Sequence, residues 1–319
     1  MRTSMRAERT FRAMGTTCSV VVFGSGSAIE NAIEDVADLG VGRVRVLEQL
    51  WSRFLDTSEL SRLNEAAGNG SLPVSEDTVT LVTAMRRGWE LTSGAFDPSV
   101  LQAIRSQGYD RDFTQVIASD FVTGATVTPT AAPGMASVVV RNNEIELPAG
   151  LGLDPGAIGK GLAADIVVDE LRSTGVDGVL VDLGGDIAFA GTPGQDKEWI
   201  VSIRDERNPK SSKLLGQARW EAGVEHAGIA TSTTKTRRWA ESRHHVLDPT
   251  TGVSTNETVV QATVSGERAW ECEVWATSCV VRPEATIESL PPGFAAVVLG
   301  QDRVMRDDFA RTWATTEVA

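Results

Sequence analysis

The sequence predicts an α+β fold. Strand-like runs and helical periodicities are interleaved without the regular βαβ alternation that a doubly wound parallel sheet requires. Residues 136–147 read as a hairpin, VVV and EIEL on either side of Arg141-Asn142-Asn143. The chain of 319 residues is 41% hydrophobic and 23% charged, the balance of a globular protein with ample surface to bury in a core.

Cys18 to Phe23 (CSVVVF) is strand-like and ends at the Gly24–Ser27 turn. Ile29, Ile33, Val36, Leu39, Val44, Leu47 and Leu50 then recur at helical spacing, which predicts an amphipathic helix over 28–51. Residues 77–92 repeat the pattern with Val82, Met85 and Trp89, and residues 108–133 are irregular enough to be an insertion loop. After the hairpin come a helix over 161–173, a strand over 178–182 and a Gly184-Gly185 turn. Strands are expected at 199–203, 228–231 and 261–264, a helix at 269–281, and a closing apolar strand at 294–299. The expected organisation is a flexible N-terminus (1–10), one domain or two intimately packed subdomains (11–305) and a C-terminal tail (306–319).

Lys+Arg 30 against Asp+Glu 43 gives a net charge of −13, which argues against a nucleic-acid surface. Nothing reaches the ~18 consecutive apolar residues of a membrane helix. Residues 1–12 are basic but lead into no apolar segment, so no secretory signal is expected. The cysteines Cys18, Cys272 and Cys279 form no disulfide framework, and the cytoplasm is the expected location.

Three segments carry chemistry. Asp154-Pro-Gly-Ala-Ile-Gly-Lys160-Gly161 precedes a helix; its glycines, the helix N-terminus and the Lys160 charge suit a phosphate, although a plain connection has the same look. It is no Walker loop, because no Ser or Thr follows Lys160. Arg243-His244-His245-Val-Leu-Asp248-Pro places two of the three histidines together. Either could take a proton near neutral pH, bind a metal, or serve a core hydrogen-bond network. Glu273 and Thr277 stand i, i+4 on the predicted helix, a pair of hard oxygen donors suited to Mg2+ or a common solvated pair. Gly94-Ala-Phe-Asp-Pro98 reads as a turn.

Together and in this order, these segments resemble the FAD:protein FMN transferases, the ApbE-type flavin transferases. Met14-Gly15-Thr16 looks like that family's opening MGT, Ser58-Glu-Leu-Ser-Arg-Leu-Asn64 its SELSRLN block, and residues 94–98 its GAFDP turn. Residues 154–161 with Asp165 are similar to its D-x-G-x-I-x-K-G-x-x-x-D block. Leu183-Gly-Gly-Asp186-Ile, Thr231-Ser232 and His245-x-x-Asp248-Pro-x-Thr-Gly252 match LGGDI, TS and H-x-x-DP-x-TG. The resemblance implies an ApbE-like fold, with mixed or antiparallel sheets, flanking helices and an active site in a central groove. It implies Mg2+-dependent transfer of FMN from the substrate FAD to a threonine hydroxyl of an acceptor flavoprotein of the FMN-binding-domain type, with AMP released. FAD hydrolysis to FMN and AMP, or flavin binding without catalysis, are the alternatives.

Carried over residue by residue, the resemblance puts flavin contacts on Met14, Phe54, Ala95, Phe96, Asp97, Asp154, Lys160 and Leu247. It puts the metal on Ala157 (through its carbonyl), Glu273 and Thr277, and catalysis on Lys160, His245 and Asp248, with Asp248 orienting His245. The amides near Gly159 and Gly161 would join Lys160 on the diphosphate, and Arg237 and Arg238 are further candidate cations. The chain departs from the family pattern at Glu273, where Asp is usual, and at Phe54, Thr233 and Thr250, where Tyr, Gly and Arg are frequent.

Overall fold

The computed structural model describes residues 5–26, 32–118, 129–207, 213–240, 242–256, 258–301 and 303–309. The chain runs β1 (Met5–Ala13), β2 (Thr16–Gly24), α1 (Ile33–Trp51), α2 (Glu59–Glu65), β3 (Ser71–Pro73), α3 (Glu76–Leu91), α4 (Leu101–Ser106) and α5 (Phe113–Ala118). Next come β4 (Val139–Arg141), β5 (Glu144–Glu146), α6 (Gly159–Arg172), β6 (Gly178–Leu183), β7 (Ile187–Gly191), β8 (Glu198–Arg204), β9 (Leu214–Glu221) and β10 (Val224–Thr233). It ends with β11 (Arg238–Ala240), β12 (Arg243–His244), β13 (Leu247–Asp248), β14 (Val253–Ser254), β15 (Gln261–Gly266), α7 (Ala269–Val281), α8 (Pro283–Ser289), β16 (Ala295–Leu299) and β17 (Val304–Asp307).

An eight-stranded sheet, in the order β1-β2-β6-β7-β10-β15-β16-β17, organises the molecule. Every pairing among the described residues is antiparallel, so the α+β expectation holds. Strand alternation assigns the faces. Cys18, Val20 and Val22 of β2 and Val179, Val181 and Leu183 of β6 point into the main core with α1 and α6. Phe23 and Leu180 point the other way, where Trp199 and Ile203 of the β8–β9 hairpin close over Phe189. Farther along, Trp275, Ala276 and Cys279 of α7 pack on Ala262 and Val264 of β15. No helix among the described residues is long and apolar enough to cross a membrane.

Several expectations change. α1 begins at Ile33, and residues 28–31 with Ile29 lie outside the described residues. Its buried stripe runs through Val36, Ala37 and Gly40, while Leu39 is 56% exposed. Residues 5–10, expected to be flexible, belong to β1. Only Ala7 and Ala13 of that strand are buried, so its polar sequence hides an edge strand. Residues 306 and 307, expected in the tail, end β17, which pairs outside the strand expected to close the sheet. The 108–133 segment contains α5, and its residues 119–128 lie outside the described residues.

The N-termini of α6 and α7 meet at near-contact distance. A Cβ on Gly161 would stand 2.6 Å from the Ala269 carbonyl oxygen, and one on Gly228 would stand 2.3 Å from the Ala269 nitrogen. Both neighbours are backbone and cannot rotate away. Gly161→Ala should therefore destabilise the protein by about 1–3 kcal/mol through overpacking, read as a lower urea midpoint at unchanged slope.

Candidate active site

The turn that enters α6 is held from outside. Asn64 brackets Leu153, donating to its carbonyl at 2.9 Å and accepting from its N–H at 2.7 Å. The Asp154 N–H donates to the Pro98 carbonyl at 2.8 Å, and its carboxylate accepts from the Gly156 N–H at 2.7 Å. Arg53 pairs with the other Asp154 oxygen at 3.0 Å, both side chains nearly fully buried. The Arg53 guanidinium also donates to the Tyr109 carbonyl at 2.9 Å and lies 4.2 Å above the Phe54 ring centre and 4.4 Å above that of Tyr109. Phe54, Tyr109 and Trp239 form a connected aromatic series, with Leu247 packed beside Tyr109. Phe54 is 37% exposed, which leaves part of its ring to a ligand.

The GAFDP turn is satisfied internally. Asp97 accepts from the Ser99 N–H and hydroxyl at 2.9 and 2.6 Å and from the Trp89 indole, and burial still raises its carboxyl above the usual range. Ala95 and Phe96 are buried, so a ligand contact from this turn would come from its backbone. Met14, φ 49°, and Gly15, φ 69°, turn the chain between β1 and β2, and the Met14 N–H donates to Glu48.

At the start of α6, Lys160 bridges two carboxylates. Its ammonium pairs with Asp186 and with Glu273, the latter at 2.7 Å. Burial alone lowers an ammonium; the two carboxylates more than reverse this and hold Lys160 charged. Glu273 in turn is pushed up to about 7 by burial and by Asp186, against the pull of Lys160. The second Glu273 oxygen accepts from the Gly161 N–H at 2.8 Å. The Gly159 N–H is donated to the Pro155 carbonyl at 2.8 Å. The two amides expected to cradle an anion are thus already used.

Thr277, one helical turn beyond Glu273, donates its hydroxyl to Ser232 at 3.4 Å. Among the described residues no group of three or more His, Cys, Asp or Glu side chains could hold a metal. A cation here would need the mixed set of Ala157 carbonyl, Glu273 carboxylate and Thr277 hydroxyl. Those are hard oxygens, and an ionised carboxylate has roughly four lone-pair sites, of which Glu273 uses two. The donor set fits Mg2+.

The two adjacent histidines separate cleanly. His244 is buried; its Nδ1 accepts from the Val246 N–H at 3.3 Å and its Nε2 lies 3.2 Å from the Thr255 carbonyl. The His245 ring bonds the Thr236 backbone, while its buried Nδ1 has no partner. Burial, and then the charges of Arg237, His244 and Lys160, hold His245 well below the usual imidazole value. Asp248 does not orient it through Nδ1. The Asp248 carboxylate instead accepts from the Thr250 N–H and hydroxyl at 2.9 and 2.6 Å, closing its own turn.

Sequence reasoning missed Arg53 and Tyr109, and it placed Asp186, Ser232 and Asp165 in motif blocks without giving them a partner. Asp165 accepts from the Ala269 and Trp270 N–H groups, both at 3.0 Å, and so caps α7 from α6. The LGGDI block at residues 183–187 was the signal for Asp186, and a block match does not say which cation its carboxylate pairs with.

The chain matches the ApbE family over residues 14–298. It is 28% identical over 285 residues to an FAD:protein FMN transferase of Treponema pallidum, covering 84% of this chain and 76% of that relative. Against the FAD:protein FMN transferase of Klebsiella pneumoniae it is 28% identical over 279 residues, covering 85% and 77%. In fold it is similar to the crystal structure of the ApbE protein from Thermotoga maritima, with a TM-score of 0.79 at 20% identity over 97% of this chain and 99% of that one. The flavin transferase ApbE from Vibrio cholerae gives a TM-score of 0.75 at 21% identity, covering 98% and 100%.

With a depressed pKa, His245 stays neutral where a solvated imidazole would be half protonated, near 6.5. Its NMR shifts should stay flat from pH 8 down through 6.5 and move only at lower pH. The unfolded chain takes up that proton below about 6.5, so the stability tied to neutral His245 is complete above that pH and lost as the pH falls. A midpoint at or above 6.5 would contradict the burial described.

Proposed function

Because this chain belongs to the ApbE family, we propose that it transfers the FMN half of FAD to a threonine hydroxyl of an acceptor flavoprotein, with AMP leaving. One observation carries the reading: a histidine held well below its usual pKa, with a bare Nδ1, lies in the field of the half-buried Lys160 in the first turn of α6. The relatives from Treponema pallidum and Klebsiella pneumoniae bear the name of that activity.

The threonine oxygen attacks the phosphorus on the FMN side of the diphosphate, and the new P–O bond forms as the bridging P–O bond breaks. The electron pair leaves on AMP. His245 takes the hydroxyl proton on Nδ1; its other nitrogen, bonded to the Thr236 backbone, fixes the tautomer that leaves this lone pair free. Lys160, kept charged by Asp186 and Glu273, faces the anionic diphosphate. Mg2+ held by Ala157, Glu273 and Thr277 would supply further charge neutralisation there. Phe54, backed by Arg53 and Tyr109, offers an aromatic face to the isoalloxazine, with Met14 and Leu247 beside it and Asp154 fixing the loop. The three thiols, all buried and unpaired, support a reducing, cytoplasmic setting.

The protein incubated with FAD, Mg2+ and a threonine-bearing flavin-acceptor domain should give a fluorescent acceptor band, a mass gain equal to FMN, and AMP. AMP without a labelled acceptor would make the enzyme a hydrolase, and neither product would overturn the reading. His245→Ala should slow labelling by roughly 10²–10⁴-fold, and EDTA should abolish it. Glu273→Asp should still require Mg2+, which EDTA and Mg2+ titrations of the variant check.

A further inference from the structure

Arg237 stands in the turn between β10 and β11 with φ 43°, a left-handed backbone that an L side chain adopts at an energetic penalty. Its guanidinium reaches over the Met14–Gly15 turn: Nη2 lies 3.8 Å from where a Cβ on Gly15 would be. The side chain is half-buried and makes no hydrogen bond or ion pair with any described residue. Asp112, a carboxylate that feels the Arg237 charge, is committed to the Thr114 N–H and hydroxyl at 2.9 and 2.5 Å. The Arg237 charge bears on Lys160, His245 and the Tyr109 hydroxyl.

Two cations that face one space repel each other. Lys160 has two carboxylates to offset that repulsion, and Arg237 pairs with none among the described residues. A chain with net charge −13 has no shortage of acids to place beside it. Backbone strain held at a half-buried cation that pairs with no described residue, one position from the Thr236 backbone that the His245 ring bonds, is the arrangement expected where an anion completes the site.

We propose that Arg237 binds the non-bridging oxygens of the phosphoryl group under transfer, an arginine supplied in cis that stabilises the charge developing as the bridging bond breaks. This rests on the transferase reading for the identity of the anion. A guanidinium presents its donors as a planar fork that matches two phosphoryl oxygens, which a lysine cannot do. Lys160 then serves the rest of the diphosphate.

The strain supplies an unusual test. Glycine tolerates a left-handed backbone, so Arg237→Gly removes the guanidinium while relieving the fold. It should melt at the wild-type temperature or above it, bind inorganic pyrophosphate at least tenfold more weakly by calorimetry, and transfer FMN about 10²-fold or more slowly, mostly in kcat. Arg237→Lys should recover little of the rate. Arg87→Met, the same loss of charge on the exposed face of α3, should match wild type in both assays. Unchanged pyrophosphate affinity, transfer within threefold of wild type, or a clearly lowered melting temperature for Arg237→Gly would each overturn the assignment. If the wild-type protein binds pyrophosphate but moves no flavin, the transferase reading fails by itself, and the pyrophosphate comparison still decides the role of Arg237.

Discussion

Two helix N-termini, each closed by a carboxylate from the other helix, hold this structure's working parts together. Asp165 on α6 accepts from the first two N–H groups of α7, and Glu273 on α7 accepts from the Gly161 N–H in the first turn of α6. Each interaction places a negative group at the positive end of a helix dipole and satisfies an otherwise orphaned donor. The crossing is possible because Gly161 and Gly228 carry no Cβ against Ala269. It sets Lys160 beside Glu273 and presents Thr277 one turn further along. If the helices slid past one another, the ion pair, the candidate metal oxygens and the loop at 154–161 would lose their common geometry together.

Charge at the site is managed locally, against the sign of the whole chain. Lys160 lies in a buried setting that by itself opposes an ammonium, and Asp186 and Glu273 keep it ionised. The same burial pushes Asp165 up to about 7 despite its two N–H donors, a sign of how dry the α6–α7 junction is. His245 experiences the reverse: burial and nearby positive charge keep it neutral, the state a general base needs before it can accept a proton. Burial opposes charge on both groups, and they end in opposite states because the lysine has carboxylates at contact distance and the histidine feels cations instead.

Much of the fold was legible because periodicity and burial agree. α7 coincides with its expected limits, Ala269 to Val281, and β2, β6, β10 and β15 enclose the expected apolar runs. β1 was invisible because an edge strand needs no apolar alternation, and α1 buries Ala37 and Gly40 where Leu39 looked the better candidate. In the site, collinear blocks marked Lys160, Glu273, Thr277 and His245, but spacing along a chain does not report who bonds whom. Asp248 follows His245 by three residues and bonds Thr250, because a side-chain-to-backbone turn two residues on is the shorter closure. Asp186 lies 26 residues from Lys160, Glu273 lies 112 from Gly161, and only the tertiary fold joins them.

Glu273 reaches one methylene farther than an aspartate would, and the geometry gives a physical meaning to that length. One further methylene extends the carboxylate by about 1.5 Å. That extension lets its two oxygens address different partners, the Lys160 ammonium at 2.7 Å and the Gly161 amide at 2.8 Å, one from a side chain and the other from the backbone of the neighbouring helix. The residue therefore fastens the helix crossing. A shorter carboxylate would sit closer to the α7 backbone and farther from its partners on α6. In this protein the cohesion of the two helices and the charge beside Lys160 fall on the same side chain, so shortening Glu273 would loosen the clasp that positions the lysine.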